Sequence, residues 1–161
     1  FYWLTILTVF LCLPLRHLPS HNLRLFRKSA GHWSDSSVHE QVRTTTGQQL
    51  RLGDELSAVL IAPLKHHSHA TVAEYLTTMH QYTTLDAKEM LLSGQHRSGR
   101  MVHASWWLPW QLSLRQFLKL FFYRHGWRDG VAGWQWCVLS AYYEWEMAQK
   151  FRGLSQDTKL R

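Results

Sequence analysis

An α/β fold is predicted, from three observations. Two apolar, β-branched runs, Phe1–Leu13 and Val59–Leu64, have the length of buried strands. Short alternating runs separated by turn residues fill the stretch between them. From Thr71 onward the apolar period changes to that of helices, beginning with a capping box.

Taken in order, Phe1–Leu13 is interrupted only by Thr5 and Thr8 and predicts one or two strands; periodicity leaves a helix open. The run is shorter than the roughly 20 apolar residues that cross a bilayer, and no basic segment precedes it as in a secretory signal. Because the chain opens inside this run, at Phe1 rather than Met, it is expected to be truncated. Leu23–Arg27, Val38–Val42 and Leu50–Leu52 read as strands and hairpins, with a Ser/Gly/Asp-rich loop over Ser29–Ser37. Pro63 is expected to end the second apolar run, ahead of Lys65-His66-His67-Ser68-His69.

Thr71-Val72-Ala73-Glu74 is the capping box of a first helix, whose apolar face is Val72, Tyr75, Leu76, Met79 and Tyr82 and whose stop is Gly94. Pro109 is placed to open a second helix as its first residue, with Trp110, Leu114, Phe117, Leu118 and Phe121 on one face, Gln111, Arg115 and Lys119 on the other, and Gly126 at its close. A third helix is predicted from Val131 to about Phe151, capped by Asp129 and apolar nearly all round, with a frayed tail after Gly153. Glu144, Glu146 and Lys150 argue against a simple membrane span. Two regions result: residues 1–95, strands and one helix, and residues 96–161, helical and rich in tryptophan.

The 161 residues carry 18 Lys and Arg against 11 Asp and Glu, a net charge of +7, which favours an anionic partner. Between Gln95 and Arg128 lie six cations (Arg97, Arg100, Arg115, Lys119, Arg124, Arg128) and no carboxylate. Seven of the nine tryptophans fall between Trp106 and Trp145. Tryptophan beside Lys and Arg suits a membrane–water interface, and equally the cover of a core or of another domain. Nucleic acid is disfavoured as a partner: no recognised motif is present, and the cations adjoin an apolar helix rather than a polar stripe. Cys12 and Cys137 have neither a CxxC nor a Cys/His zinc spacing, which excludes a disulfide scaffold and a cysteine zinc site. No GxSxG, P-loop or GxGxxG occurs.

Two sets of residues invite a chemical role. Of 11 histidines, only His66-His67-Ser68-His69 cluster, after a strand-like run and before a helix start, where side chains converge on a cleft edge; alternation puts His66 and His67 on opposite sides. Glu40, in Val38-His39-Glu40, stands where the chain re-enters regular structure and could act as a general base on a hydroxyl; the bland alternative is a solvated strand-edge carboxylate.

Several segments together resemble the C-terminal half of bacterial family 2 glycosyltransferases, most closely the lipopolysaccharide-core glucosyltransferase-like group. They are Leu23-Arg24-Leu25-Phe26-Arg27-Lys28, His32-Trp33, Val38-His39-Glu40, Leu64 to His69 with Thr71 to Leu76, and Arg124 to Gly133, in this order; the likeness runs from about Asn22 to Arg152. The resemblance implies the acceptor-side half of a GT-A fold, an α/β sandwich that moves a sugar from a nucleotide-sugar donor to an acceptor hydroxyl. The nucleotide-binding half and its Asp-x-Asp motif are not in these residues. By position, the resemblance implies Glu40 as general base, with Asp35 the second choice, and His66 as a ligand completing the shell of a divalent metal, Mg²⁺ or Mn²⁺, held mainly by the other half. Arg24 and Arg27 are then candidates for contact with the diphosphate or an anionic acceptor. Residues 1–21 match loosely, and His67 and His69 stand where aromatic residues are common.

The resulting expectation is part of an inverting glycosyltransferase acting on a lipid-linked, lipopolysaccharide or other cell-envelope glycan, cytoplasmic and peripheral to the inner membrane. Alone, the chain is expected to transfer no sugar. The competing expectation is a non-catalytic membrane-surface binding module built on the tryptophan-rich helices.

Overall fold

The computed structural model describes residues 1–34 and 41–159, without the side chains of 158 and 159. Asp35, Glu40 and the start of the strand expected at Val38–Val42 lie outside the described residues. The chain combines strands and helices, as an α/β reading requires.

The first apolar run folds as two strands, β1 (Tyr2–Phe10) and β2 (Leu13–Pro14). Leu11 and Cys12 make the turn between them, both with positive φ (50° and 62°), a conformation that disfavours a Cβ. Leu11 is held there by its N–H bond to His69 O, 2.9 Å, and by packing on the core. β1 is the central strand. One edge pairs antiparallel with β2 and with β3 (Ser20–Leu25), and the other pairs parallel with β6 (Ala58–His67). Ile6, Thr8 and Phe10, alternate residues of β1, are buried.

Pro63 does not end β6, contrary to expectation. Leu60 pairs with Leu4 and Leu64 with Ile6, so extra residues bulge out of β6 around Pro63, where a missing N–H costs no ladder bond. The loop expected at Ser29–Ser37 also contains a strand. β4 (Gly31–Trp33) pairs antiparallel with β5 (Val42–Thr44), and a Cβ at Gly31 would lie 2.5 Å from Arg43 O. Leu50–Leu52 is not a strand: Asp54 accepts the Arg51 N–H at 2.7 Å and folds the segment into a turn, leaving Leu50 as a buried anchor beside Leu23 and Val42.

Helix α1 (Val72–Ser93) begins with both halves of the capping box in place and ends at Gly94, left-handed at φ 67°. α2 (Leu108–Leu118) starts one residue before Pro109 and continues through a wider, π-type turn over Lys119–Tyr123. His125, at φ 55°, takes the left-handed position that Gly126 was expected to supply. Gly126 serves packing instead: a Cβ there would come within 2.8 Å of Cys137 Sγ, and one at Gly133 within 2.1 Å of Gly126 O.

The long helix α3 (Gly130–Lys159) runs past Gly153 rather than fraying, because Phe151, Leu154 and Ser155 pack beside Met90 and Leu108 or are themselves buried. Asp129 does not cap it in the expected way. Its carboxylate accepts the backbone N–H groups of Arg16 (3.0 Å) and His17 (3.0 and 3.1 Å) and contacts the His17 ring at 2.8 Å, tying the β2–β3 connection to the start of α3.

α2 and α3 are antiparallel, since Leu108 clusters with Met147, Ala148 and Phe151 and Leu120 with Ala132 and Cys137. The main core joins Phe10, Leu15 and Leu18 to Tyr75 and Met79 of α1 and to Leu120, Ala132 and Cys137, so residues before and after position 95 share it. Among the described residues, no helix is long and apolar enough to cross a membrane.

Candidate functional site

The β4–β5 hairpin faces the C-terminal part of α1 across a cavity of about 830 Å³. The hairpin side supplies His32, Trp33, Ser34, Gln41 and Arg43, followed by Gln49 and Arg51. Gln49 is held by a single β-bridge to Arg43, and Arg43 Nη1 donates to Gly47 O at 3.1 Å. Ser34 and Gln41 are pinned together, Ser34 N–H to Gln41 O at 2.8 Å and Gln41 N–H to Ser34 Oγ at 2.9 Å. They flank, in the chain, the segment that carries Asp35 and Glu40.

The helical side supplies Asp86, Glu89 and Ser93 of α1, then Gln95 to Gly99. This last stretch is a tight turn: His96 N–H donates to Arg100 O at 2.9 Å and Gly99 N–H, at positive φ, to His96 O at 2.7 Å.

Beneath this wall lies a buried charge cluster. Glu144 of α3 accepts from Arg97 through one carboxylate oxygen and meets His96 Nε2 at 2.9 Å through the other. Ser98 N–H donates to His96 Nδ1 at 3.1 Å, which places a ring proton on Nε2, aimed at Glu144. Tyr143 Oη donates to Asp86 at 2.6 Å, and the Arg97 guanidinium lies over the Tyr143 ring at 4.7 Å. Burial by itself pushes the Glu144 carboxyl up, but the His96 hydrogen bond and the Arg97 charge outweigh it and hold it below the usual range. Burial, reinforced by the bond to Asp86, pushes the Tyr143 hydroxyl up, so it stays a donor at any working pH. These pairs fix the Gln95–Gly99 wall against α3.

The lining is chemically coherent. Guanidinium groups donate, the carboxylates of Asp86 and Glu89 accept, and amides and hydroxyls do both, around a half-exposed indole, Trp33. Polyhydroxylated molecules present the complement, rings of alternating hydroxyls with apolar C–H faces.

Arg24 adjoins this cavity. Its guanidinium sits 5.2 Å from the Trp33 ring centre, and it lines a second cavity of about 190 Å³ that shares Gln41 and Gln49 with the first. Arg27 follows β3 in an exposed turn, outside both cavities. His66 is exposed on β6, paired with Thr8 of β1, and is not part of the cavity wall. Burial, and the proximity of His66, lower the pKa of His69. Among the described residues, no group of three His, Cys, Asp or Glu is placed to hold a metal ion.

The Glu144–His96–Arg97–Asp86 cluster was not anticipated. The available signal was Glu144 and Glu146 within a helix apolar nearly all round, carboxylates that need partners once the helix is buried. Comparison of this chain with family models, with curated proteins and with solved structures found no match.

Proposed function

We propose that this chain is the acceptor-side portion of an inverting glycosyltransferase of the family 2 type, taking a lipid-linked or cell-envelope glycan in the cavity between β4–β5 and α1. The observation that carries the reading is the cavity's position: the two residues bracketing the Asp35–Glu40 segment, Ser34 and Gln41, form part of its wall. The lining supports a glycan ligand independently of the resemblance, with the exposed part of Trp33, whose ring already carries Arg24, for its apolar C–H groups and Gln41, Gln49 and Gln95 for its hydroxyls.

In the proposed reaction Glu40 removes the proton of the acceptor hydroxyl as its oxygen bonds to the anomeric carbon, and the bond from that carbon to the nucleoside diphosphate breaks. Asp35 is the second carboxylate of the same segment. Arg24, beside Trp33, is better placed than Arg27 to meet an anionic group on either substrate.

With the nucleotide-binding half supplied, Glu40→Gln is expected to reduce sugar transfer by about 10²–10⁴-fold at unchanged far-UV circular dichroism. Full activity in that variant removes Glu40 as the base. The cavity is tested separately on the 161-residue chain by saturation-transfer NMR with cell-envelope core oligosaccharides. Contact signals that disappear in Trp33→Ala support the assignment, and no contact with the unaltered chain overturns it.

A further inference from the structure

The α2–α3 hairpin presents apolar surface outward as well as inward. Trp107, which precedes α2, and Trp110, Leu114 and Leu118 of α2 recur at helical spacing and are all exposed, Trp110 at 65% and Leu114 at 60%. Within the π-type turn Phe122 and Tyr123 are exposed as well, and on α3 so are Val131, Trp134, Val138 and Tyr142. Side chains of this size on one antiparallel pair exceed the scattered apolar exposure normal for a folded surface.

Charge identifies the occupant. Arg115 and Lys119 are exposed beside the α2 stripe and Arg128 beside the turn into α3, while residues 95–128 contain no carboxylate. The first carboxylate after them, Asp129, is engaged by Arg16 and His17. Two copies of such a face would repel, whereas an anionic one would be drawn to it. Three of these ten residues are tryptophans and two are tyrosines, rings that suit a layer that is apolar on one side and wet on the other. No helix among the described residues can span a bilayer, so a flat-lying arrangement is the one available to the pair at a membrane.

We propose that the outer face of the α2–α3 hairpin is a docking surface for an anionic phospholipid bilayer, lying in the interface with its indoles among the headgroups and Arg115, Lys119 and Arg128 on the lipid phosphates. This holds whether or not the cavity takes a glycan.

The test is flotation of the 161-residue chain with phosphatidylcholine vesicles, with and without phosphatidylglycerol, at low and high salt. Binding is expected only with phosphatidylglycerol and weaker at high salt. Each of Arg115→Ser and Lys119→Ser should weaken it about fivefold. Trp110→Ser should weaken it too, whereas Lys88→Ser, on the exposed side of α1, should not. Unchanged helicity in each variant separates lost docking from lost fold. Absence of binding, or binding indifferent to all three variants on the face, overturns the proposal. So does self-association in solution that Trp110→Ser abolishes, which would assign the face to a second copy.

Discussion

Glu144 is a buried carboxylate whose ionisation bears on the fold beneath the cavity wall. Its carboxyl is nearly inaccessible, yet His96 and Arg97 keep it ionised below the usual range. On α3 Glu146 shifts in the same direction, burial opposing and the bonds from Lys150, His80 and Thr83 prevailing. A carboxyl whose pKa is lower folded than unfolded stabilises the fold above its unfolded value, about 4.3. That stabilisation is lost as pH falls through this value toward the depressed one. Urea titrations at a series of pH values should therefore show a gentle decline below about pH 6.5, from the lowered pKa of His69, that steepens below about pH 4.5 as the two carboxylates are protonated. Glu144→Ala should flatten that decline and remove about 2–3 kcal/mol at pH 7, because it takes the Nε2 acceptor from His96 and leaves Arg97 with the more distant Asp86, at 3.9 Å. A variant as stable as the parent across the series would refute the role assigned to the cluster. From sequence, Glu144 and Glu146 were visible only as obstacles to a membrane span, because their partners His96 and His80 lie 48 and 66 residues away.

Among the elements, the helices were better read than the strands, for a physical reason. The capping box at Thr71–Glu74 and the stop at Gly94 are local devices, complete within a few residues. The short strand β4 depends on a partner across the 35–40 segment, and β6 continues through Pro63 only because β1 tolerates a bulge there. Gly126 and Gly133 belong to the same class of non-local fact. Gly126 was expected to stop a helix and Gly133 had no assigned packing role, yet they form the close backbone approach that lets α3 fold against the turn after α2. Gly133→Ala places a methyl group against Gly126 O, backbone that cannot move aside as a side chain could. A loss of about 3 kcal/mol is expected, read as a lower thermal midpoint. An unchanged midpoint would mean that the hairpin can open without penalty.

For the molecule as a whole, the sequence separated a strand region from a helical region, and the cavity partly explains why its wall went unseen. His32 to Arg51 and Asp86 to Gly99 are distant segments, and neither carries a motif that points to the other. The sheet also has an exposed side: Val59 and Leu64 of β6 are accessible and Ile61 is 97% exposed, with β1 the strand paired to β6 among the described residues. Such an edge favours strand-to-strand association between molecules. Ile61→Lys, in the bulged part of β6, is expected to reduce concentration-dependent light scattering while leaving the thermal midpoint in place. Unaltered scattering would locate the sticky surface elsewhere.

The parallel pairing of β1 with β6 has a consequence in time. Tyr2 meets Ala58 and Val9 meets His67, so the central strand receives this neighbour only after a long stretch of intervening chain has been made. Loop closure over that span is slower than formation of the hairpin α2–α3 from adjacent segments, although that hairpin is made later. At ribosomal rates the wait between the two strands is about 3–10 seconds. Throughout that interval Tyr2–Phe10 is a β-prone apolar peptide with one side open, the kind of nascent segment on which a chaperone acts.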